Sequence, residues 1–548
     1  MADTPVKTTI DKVIGELEAR RSFLVEAGAG AGKTTTLVEA LEHSLRSQGA
    51  ELASKGRRIA CITFTNVAKR KITDRIHDHP LVTVATIHEF LWEIIKGFGA
   101  ELWQQIIEYN DALATPEDLS ELTGPLPPVQ YVDRRRRLDR GEISHDEVID
   151  LALRMVTRHP KLTRLIADCY PVVFVDEYQD TSPKTIRLLL DHLAGAGRQS
   201  CVVGLFGDSM QKIYATGQGA VVHSKLTVIT KHENYRCSPP VVAVLNKIRP
   251  ELQQEAVGGH TDGEVHLFLN SALPPGPARL DAARRHLAEL GWSDDTTSYL
   301  MLTHRGIAGA LSYGALLQQY QILGSRGRDK LLDNDEPYIE YFSRVEALCR
   351  AFHALDYAEL TSLLVAGRTT ITSHTDKQRI AADIRQMTTV RESGTIGDVL
   401  DHMARQHLLS VPRKLSDLER RRKSENLEGY DAKLAEFSNA LREVPYKEVI
   451  RFIEYREQLT PFHTQHGVKG DEFDNVIVII DDGSWTQYNM GKMLTGRDLE
   501  KRLERSRNLF YVSCSRARRG LAVVFLTDVP DEALPNAYDW FASGTVHP

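Results

Sequence analysis

Unbroken apolar runs recur in the first part of the chain at Phe23–Val25, Ile59–Phe64, Val82–Ala85, Val172–Val175 and Cys201–Phe206. They have the character of strands buried on both faces, and the helical stretches between them predict βαβ units in a parallel sheet. A second set, Val265–Leu269, Tyr299–Leu302, Val476–Ile480 and Leu521–Leu526, predicts another such sheet beyond Asn234. Each set is interrupted. Residues 97–160 hold a Pro-rich turn, the run Arg134-Arg135-Arg136-Arg137 and a helix opening at Ser144, where Glu147 three residues on completes a capping box ahead of Val148-Ile149. Between Leu302 and His463 the pattern is mostly helical, and Leu415 to Arg442 reads as a solvated helix pair. The fold class is α/β.

Composition narrows this picture. A chain of 548 residues that is 42% hydrophobic can bury several cores, and ordinary domain size points to three or four units. A net charge of −6 leaves no global bias toward nucleic acid, so any DNA path has to be a local basic groove. The arginine run has two readings, a grip on phosphates or a solvated face paired with Asp133 and Asp139. Six cysteines form no CxxC pair, which favours a reducing compartment and speaks against a zinc or iron–sulfur site. With a polar start and no apolar run of membrane-spanning length, the expectation is a cytoplasmic protein without membrane contact.

Chemistry enters where the first apolar run feeds into Glu26-Ala27-Gly28-Ala29-Gly30-Ala31-Gly32-Lys33-Thr34-Thr35. This reads as a phosphate cradle between strand and helix. Backbone amides approach the phosphates, Lys33 reaches the β/γ oxygens and the Thr34 hydroxyl ligates Mg²⁺, although Ala27 replaces the usual first glycine. The run ending at Val175 leads into Asp176-Glu177. Asp176 is suited to hold the Mg²⁺ that bridges the β/γ-phosphates of a nucleotide, and Glu177 to accept a proton from the attacking water. Gln211, just past the third run, is suited to sense the γ-phosphate.

These segments, together with Asn234-Tyr235-Arg236, His463 to Phe473 and Leu509 to Ala517, resemble in order and company the UvrD/Rep branch of superfamily 1 helicases. The resemblance implies two RecA-like motor domains, at 1–96 with 161–232 and at 233–325 with 455–548, carrying helical insertions at 97–160 and 326–454. It implies that Arg236 and Arg516 meet the γ-phosphate, that Tyr235 stacks on adenine and that Glu472 contacts ribose; surface ion pairing is the other reading of the two arginines. Single-stranded or tailed duplex DNA would be the track. Phe64 and Tyr214 resemble the base-stacking positions, and Thr65, Asn66, His88 and His466 the backbone contacts. Core packing is the rival reading of Phe64, which ends an apolar run. The implied direction is 3′ to 5′.

The chain departs from that branch in three places. Ala215-Thr216-Gly217 replaces the usual stacking tryptophan and its arginine neighbour, which weakens the base-stepping ladder. Val67 and Lys71 stand where a lysine and a glutamate are usual, and no Gln-containing adenine motif precedes the phosphate loop. With its compact insertions and the stretch Gly207 to Gly217, the chain looks closer to the small UvrD-like subunits of Gabija anti-phage systems. That resemblance implies an OLD-type nuclease partner. Two rival functions stay open: a stand-alone DNA-repair helicase, and a DNA-sensing regulatory ATPase that scarcely unwinds and signals to a partner.

Overall fold

The computed structural model describes residues 8–548 except 121, 123–124, 133–134, 196–199, 214–216, 258–261, 270, 368, 370, 425–426 and 543–544. Counting only the strands of its two large sheets, the first consists of β1 (Ser22–Ala27), β2 (Ile59–Thr63), β3 (Val82–Thr86), β4 (Val172–Asp176), β5 (Val202–Gly207) and β6 (Leu226–Lys231), in the spatial order β3-β2-β4-β5-β1-β6. The second contains β7 (Glu264–Phe268), β8 (Thr297–Met301), β9 (Phe462–Thr464), β10 (Phe473–Ile480), β11 (Ala517–Phe525) and β12 (Val546–His547), in the order β9-β8-β10-β11-β7-β12. All pairings within both sheets are parallel. These are the two parallel α/β sheets that the apolar runs foretold, and the RecA-like units that the resemblance implied, with three additional strands, β6, β9 and β12. Those three lie at sheet edges, where one neighbour is missing and an unbroken apolar run is not required.

Parallel strands bury both faces, and the packing shows it. Phe23, Phe174 and Phe206 meet as a ring cluster with centroids 5.6–6.3 Å apart on one face of the first sheet. Gly204 lies opposite Phe23 in the register, and a Cβ there would come within 2.6 Å of Phe23 and 2.8 Å of Phe174. Glycine is therefore required for the rings to close over the strand. Burying each ring contributes on the order of 1.5–3 kcal/mol.

Between β3 and β4 the chain forms helices at Ile87–Ile95, Gly99–Asp111, His145–Arg158 and Pro160–Cys169, with a short strand pair, Gln130–Tyr131 against Glu142–Ile143. The capping box at Ser144 forms as read from the sequence. Of the arginine run, Asp133 and Arg134 lie outside the described residues, while Arg136 is tied to Glu117 at 3.0 Å and to the buried Glu147 at 2.8 Å. Between β8 and β9 the chain is helical, and the helices Arg413–Arg422 and Gly429–Arg442 pack together with Leu415, Phe437 and Leu441 buried. That pair is half-sunk in the core rather than fully solvated. No helix among the described residues is long and apolar enough to cross a membrane.

Candidate nucleotide site between the two sheets

Because every strand of the first sheet runs the same way, the carboxyl ends of β1, β4 and β5 open on one side, where α/β sheets bind ligands. The loop after β1 turns into the helix Lys33–Ser54 through Gly30 and Gly32, both at φ 72°, a left-handed conformation that favours glycine. Gly30 is needed for a second reason: a Cβ there would lie 2.6 Å from the Asn234 side chain and 2.7 Å from Arg236.

A cavity of about 380 Å³ opens beside this loop. The first sheet contributes Gly30, Ala31, Gly32, Lys33, Thr34, Thr35, Glu177 and Gln211 to its walls, while Tyr235, Arg236, Glu472 and Arg516 come from beyond β6. Residues nearly five hundred positions apart thus converge on one chamber. Asp176 stands just behind the wall at the buried end of β4, accepting a hydrogen bond from the Glu177 amide at 3.1 Å. Burial and the neighbouring Glu177 charge push its carboxyl up to about 7, against the pull of Lys33. Burial acts on Glu177 in the same sense, but Lys33, Lys469 and Arg516 outweigh it and hold that carboxyl below its usual range. Glu177 itself sits at φ 50°, an uncommon conformation for a residue with a side chain.

Ala27, Gly28 and Ala29 sit behind the chamber rather than in its wall. The Ala29 amide donates to the Tyr511 hydroxyl at 2.9 Å, and the Ala29 carbonyl accepts from Asn234 at 3.0 Å and Gln254 at 3.1 Å. In this conformation that amide has no donor left for a phosphate. Behind the loop the buried Arg249 pairs with Glu26 and, at 2.5 Å, with Asp208. Asp208 in turn accepts from the Gln211 side chain at 2.8 Å and so orients it.

Arg516 is 1% exposed and donates to the Val512 carbonyl, the Asp471 carbonyl and the Ser515 hydroxyl at 2.9–3.2 Å. Burial and the nearby Arg236 pull its pKa down to about 10. The surface ion-pair reading thus does not hold for Arg516. Arg236 is paired with Glu472 at 2.8 Å, so Glu472 meets an arginine where a ribose contact was expected. Tyr235 is 52% exposed, with the Lys231 ammonium over its ring at 5.5 Å.

Several wall residues went unassigned in the sequence. Lys71 and Arg75 reach the cavity from the helix Asn66–Arg75, and Arg518 from β11. The i,i+4 spacing of Lys71 and Arg75 on one helix face was the signal available. Lys469 crosses from the second sheet to Asp180 at 2.5 Å and the Gln211 carbonyl at 2.7 Å.

The expected DNA contacts lie apart from this chamber. Phe64 is 39% exposed, which argues against the core-packing reading, and Thr65 caps the helix that Asn66 opens. His88 packs edge-on against His145 at 4.4 Å, and burial with that neighbour lowers its pKa to about 4. His466 pairs with the Tyr488 hydroxyl at 3.0 Å and packs near Trp485, burial holding its pKa below the usual value. Tyr214, with Ala215 and Thr216, lies outside the described residues.

Comparison with known proteins agrees with this architecture. Residues 11–217 match the family described as AAA domain. Across nearly its whole length the chain is similar to Gabija protein GajB of Bacillus cereus (strain HuB5-5), at 24% identity covering 95% of this chain and 96% of that protein. It is also similar to ATP-dependent DNA helicase PcrA of Staphylococcus aureus (strain NCTC 8325 / PS 47), at 24% identity over 45% of this chain and 41% of that helicase. The same helicase from Staphylococcus epidermidis (strain ATCC 35984) is matched at 24% identity over 41% of this chain and 37% of its own length. The chain is helicase-like in sequence as in fold, and the resemblance drawn from its motifs holds.

Proposed function

We propose that this protein hydrolyses ATP in the chamber between the two sheets and couples closure of that cleft to movement along single-stranded DNA, from 3′ to 5′. The observation that supports it most is the convergence of Lys33, Glu177 and Gln211 from one sheet with Arg236 and Arg516 from the other. Lys33 neutralises the β/γ-phosphates beside the amides of Gly30, Ala31 and Gly32. Glu177, kept ionised by its cationic neighbours, accepts the proton of the attacking water, which Gln211 orients. Arg236 and Arg516 stabilise the charge that develops on the transferred phosphoryl group, and Tyr235 stacks on the base. The hydroxyl of Thr34 and the carboxyl of Asp176, whose pKa burial and Glu177 raise to about 7, are an oxygen-only pair that would hold Mg²⁺, which when bound would supply charge neutralisation across the phosphates. We take the motor domains as 1–96 with 161–232 and 233–325 with 455–548, and the insertions as 97–160 and 326–454.

Phe64 and Tyr214 are assigned to base stacking, and Thr65, Asn66, His88 and His466 to the strand backbone. Similarity to a Gabija protein along almost the whole chain supports a role in anti-phage defence in the cytoplasm, beside an OLD-type nuclease. A second reading, a DNA-sensing ATPase that signals to its partner and scarcely unwinds, is favoured by Ala215-Thr216-Gly217 in place of a stacking tryptophan. Hydrolysis assayed with and without single-stranded DNA tests the motor; a rate indifferent to DNA sinks it. Strand displacement on 3′- and 5′-tailed duplexes, with and without a nuclease encoded next door, separates the readings. Unwinding without the nuclease would instead favour a stand-alone repair helicase.

A further inference from the structure

We propose that the outer edge of the second sheet carries a divalent-metal site made by His266, His286 and His547, suited to a borderline-soft cation such as Zn²⁺. The three residues come from separate elements, β7, the helix Pro277–Glu289 and the edge strand β12. One ring nitrogen from each lies within 4.8 Å of the other two. His266 Nδ1 and His547 Nε2 are 3.2 Å apart. A tetrahedral ion with Zn–N bonds of about 2.0–2.1 Å needs its ligand atoms roughly 3.3 Å apart, so this pair is already at that spacing. The third nitrogen has at most about 1.5 Å to close, within the reach of a histidine rotamer change.

The surroundings point the same way. His266 is 8% exposed and its Nε2 has no hydrogen-bond partner, while a Glu264 carboxylate oxygen lies 3.3 Å from it. A carboxylate beside the far nitrogen of a histidine selects the tautomer that leaves the near nitrogen free for a metal. The other Glu264 oxygen is held by the Trp292 indole. Phe268 stacks on His547 at 4.4 Å and supplies an apolar wall. Three histidines leave a fourth position for water. The bound ion would clamp β12, which pairs with β7 only at Leu267↔Val546 and Phe268↔His547. With His266 and His547 281 positions apart, no spacing pattern in the sequence reveals the group.

The test uses the full chain without a polyhistidine tag, stripped with chelator and titrated with Zn²⁺ by calorimetry and with Co²⁺ by visible absorption. The expected results are one ion per chain, tetrahedral Co²⁺ bands, and a melting temperature raised by roughly 2–6 °C at free Zn²⁺ about a hundred times its Kd. His286→Gln and His547→Gln should each abolish those bands while melting like the unsubstituted chain in chelator. Glu264→Gln should weaken binding about 10–100-fold. No binding, or binding unchanged in both histidine variants, would overturn the proposal and leave three imidazoles packed on Phe268.

Discussion

The Tyr511 hydroxyl accepts the Ala29 amide at 2.9 Å, so a helix of the second sheet holds the phosphate loop of the first. The same hydroxyl lies 3.3 Å from the Asp208 carboxylate, whose other partners include Arg249 and Gln211. Tyr511→Phe keeps the buried ring and leaves the Ala29 amide without its acceptor, at a cost of about 1–3 kcal/mol. Part of that loss should appear as weaker nucleotide binding in a fluorescent-nucleotide titration. Unchanged affinity and stability would show that the loop does not depend on this contact.

Arg249 is 2% exposed between two carboxylates, Glu26 and Asp208, from the ends of β1 and β5. Arg249→Met removes the cation and strands both anions, which should destabilise the fold by about 3–5 kcal/mol in a denaturant titration. A loss below about 1 kcal/mol would mean that water reaches those carboxylates.

Lys33→Ala should abolish ATP hydrolysis, whereas Glu177→Gln should retain nucleotide binding and lose turnover, because the first removes charge neutralisation and the second only the proton acceptor. Filter binding beside a phosphate-release assay distinguishes the two. Near-normal hydrolysis by Glu177→Gln would remove that residue from its role.

The strands that build the site were legible because burial on both faces demands unbroken apolar runs, and the loops at their ends stood out against those runs. What stayed hidden was settled by long-range packing. Gln254 binds the phosphate loop from a position with no local signature, Lys469 shows its partners Asp180 and Gln211 only after the two sheets face each other, and Glu472 is drawn into an ion pair by Arg236. Lys71 looked like a departure in a DNA motif, yet the helix turns it into the chamber between the two sheets.

His88 gives a pH signature. Its pKa is about 4 in the fold, through burial and then the proximity of His145, against about 6.5 in an unfolded chain. Between those values the unfolded chain binds the extra proton, so stability rises with pH across that window and is lost on acidification. Allowing for partial exposure, the swing is on the order of 1–2 kcal/mol. Denaturant midpoints at pH 7 and pH 4.5 should lie closer together in His88→Gln than in the unsubstituted chain. An equal gap would assign the acid sensitivity to other groups.

Arg516 separates motor from strand contact. Its guanidinium lines the chamber between the two sheets, held by the Asp471 and Val512 carbonyls, while the residues assigned to DNA lie elsewhere. Arg516→Ala should leave single-strand affinity nearly intact while turnover falls about 10³- to 10⁵-fold, since an arginine at the γ-phosphate acts mainly on the transition state. Arg516→Lys should rescue little, because a point charge cannot satisfy two carbonyls and a phosphate together as the planar fork does. If Arg516→Ala instead weakened DNA binding and spared hydrolysis at saturating DNA, this arginine would be a strand contact, and the coupling of cleft closure to hydrolysis would have to rest on Arg236 alone.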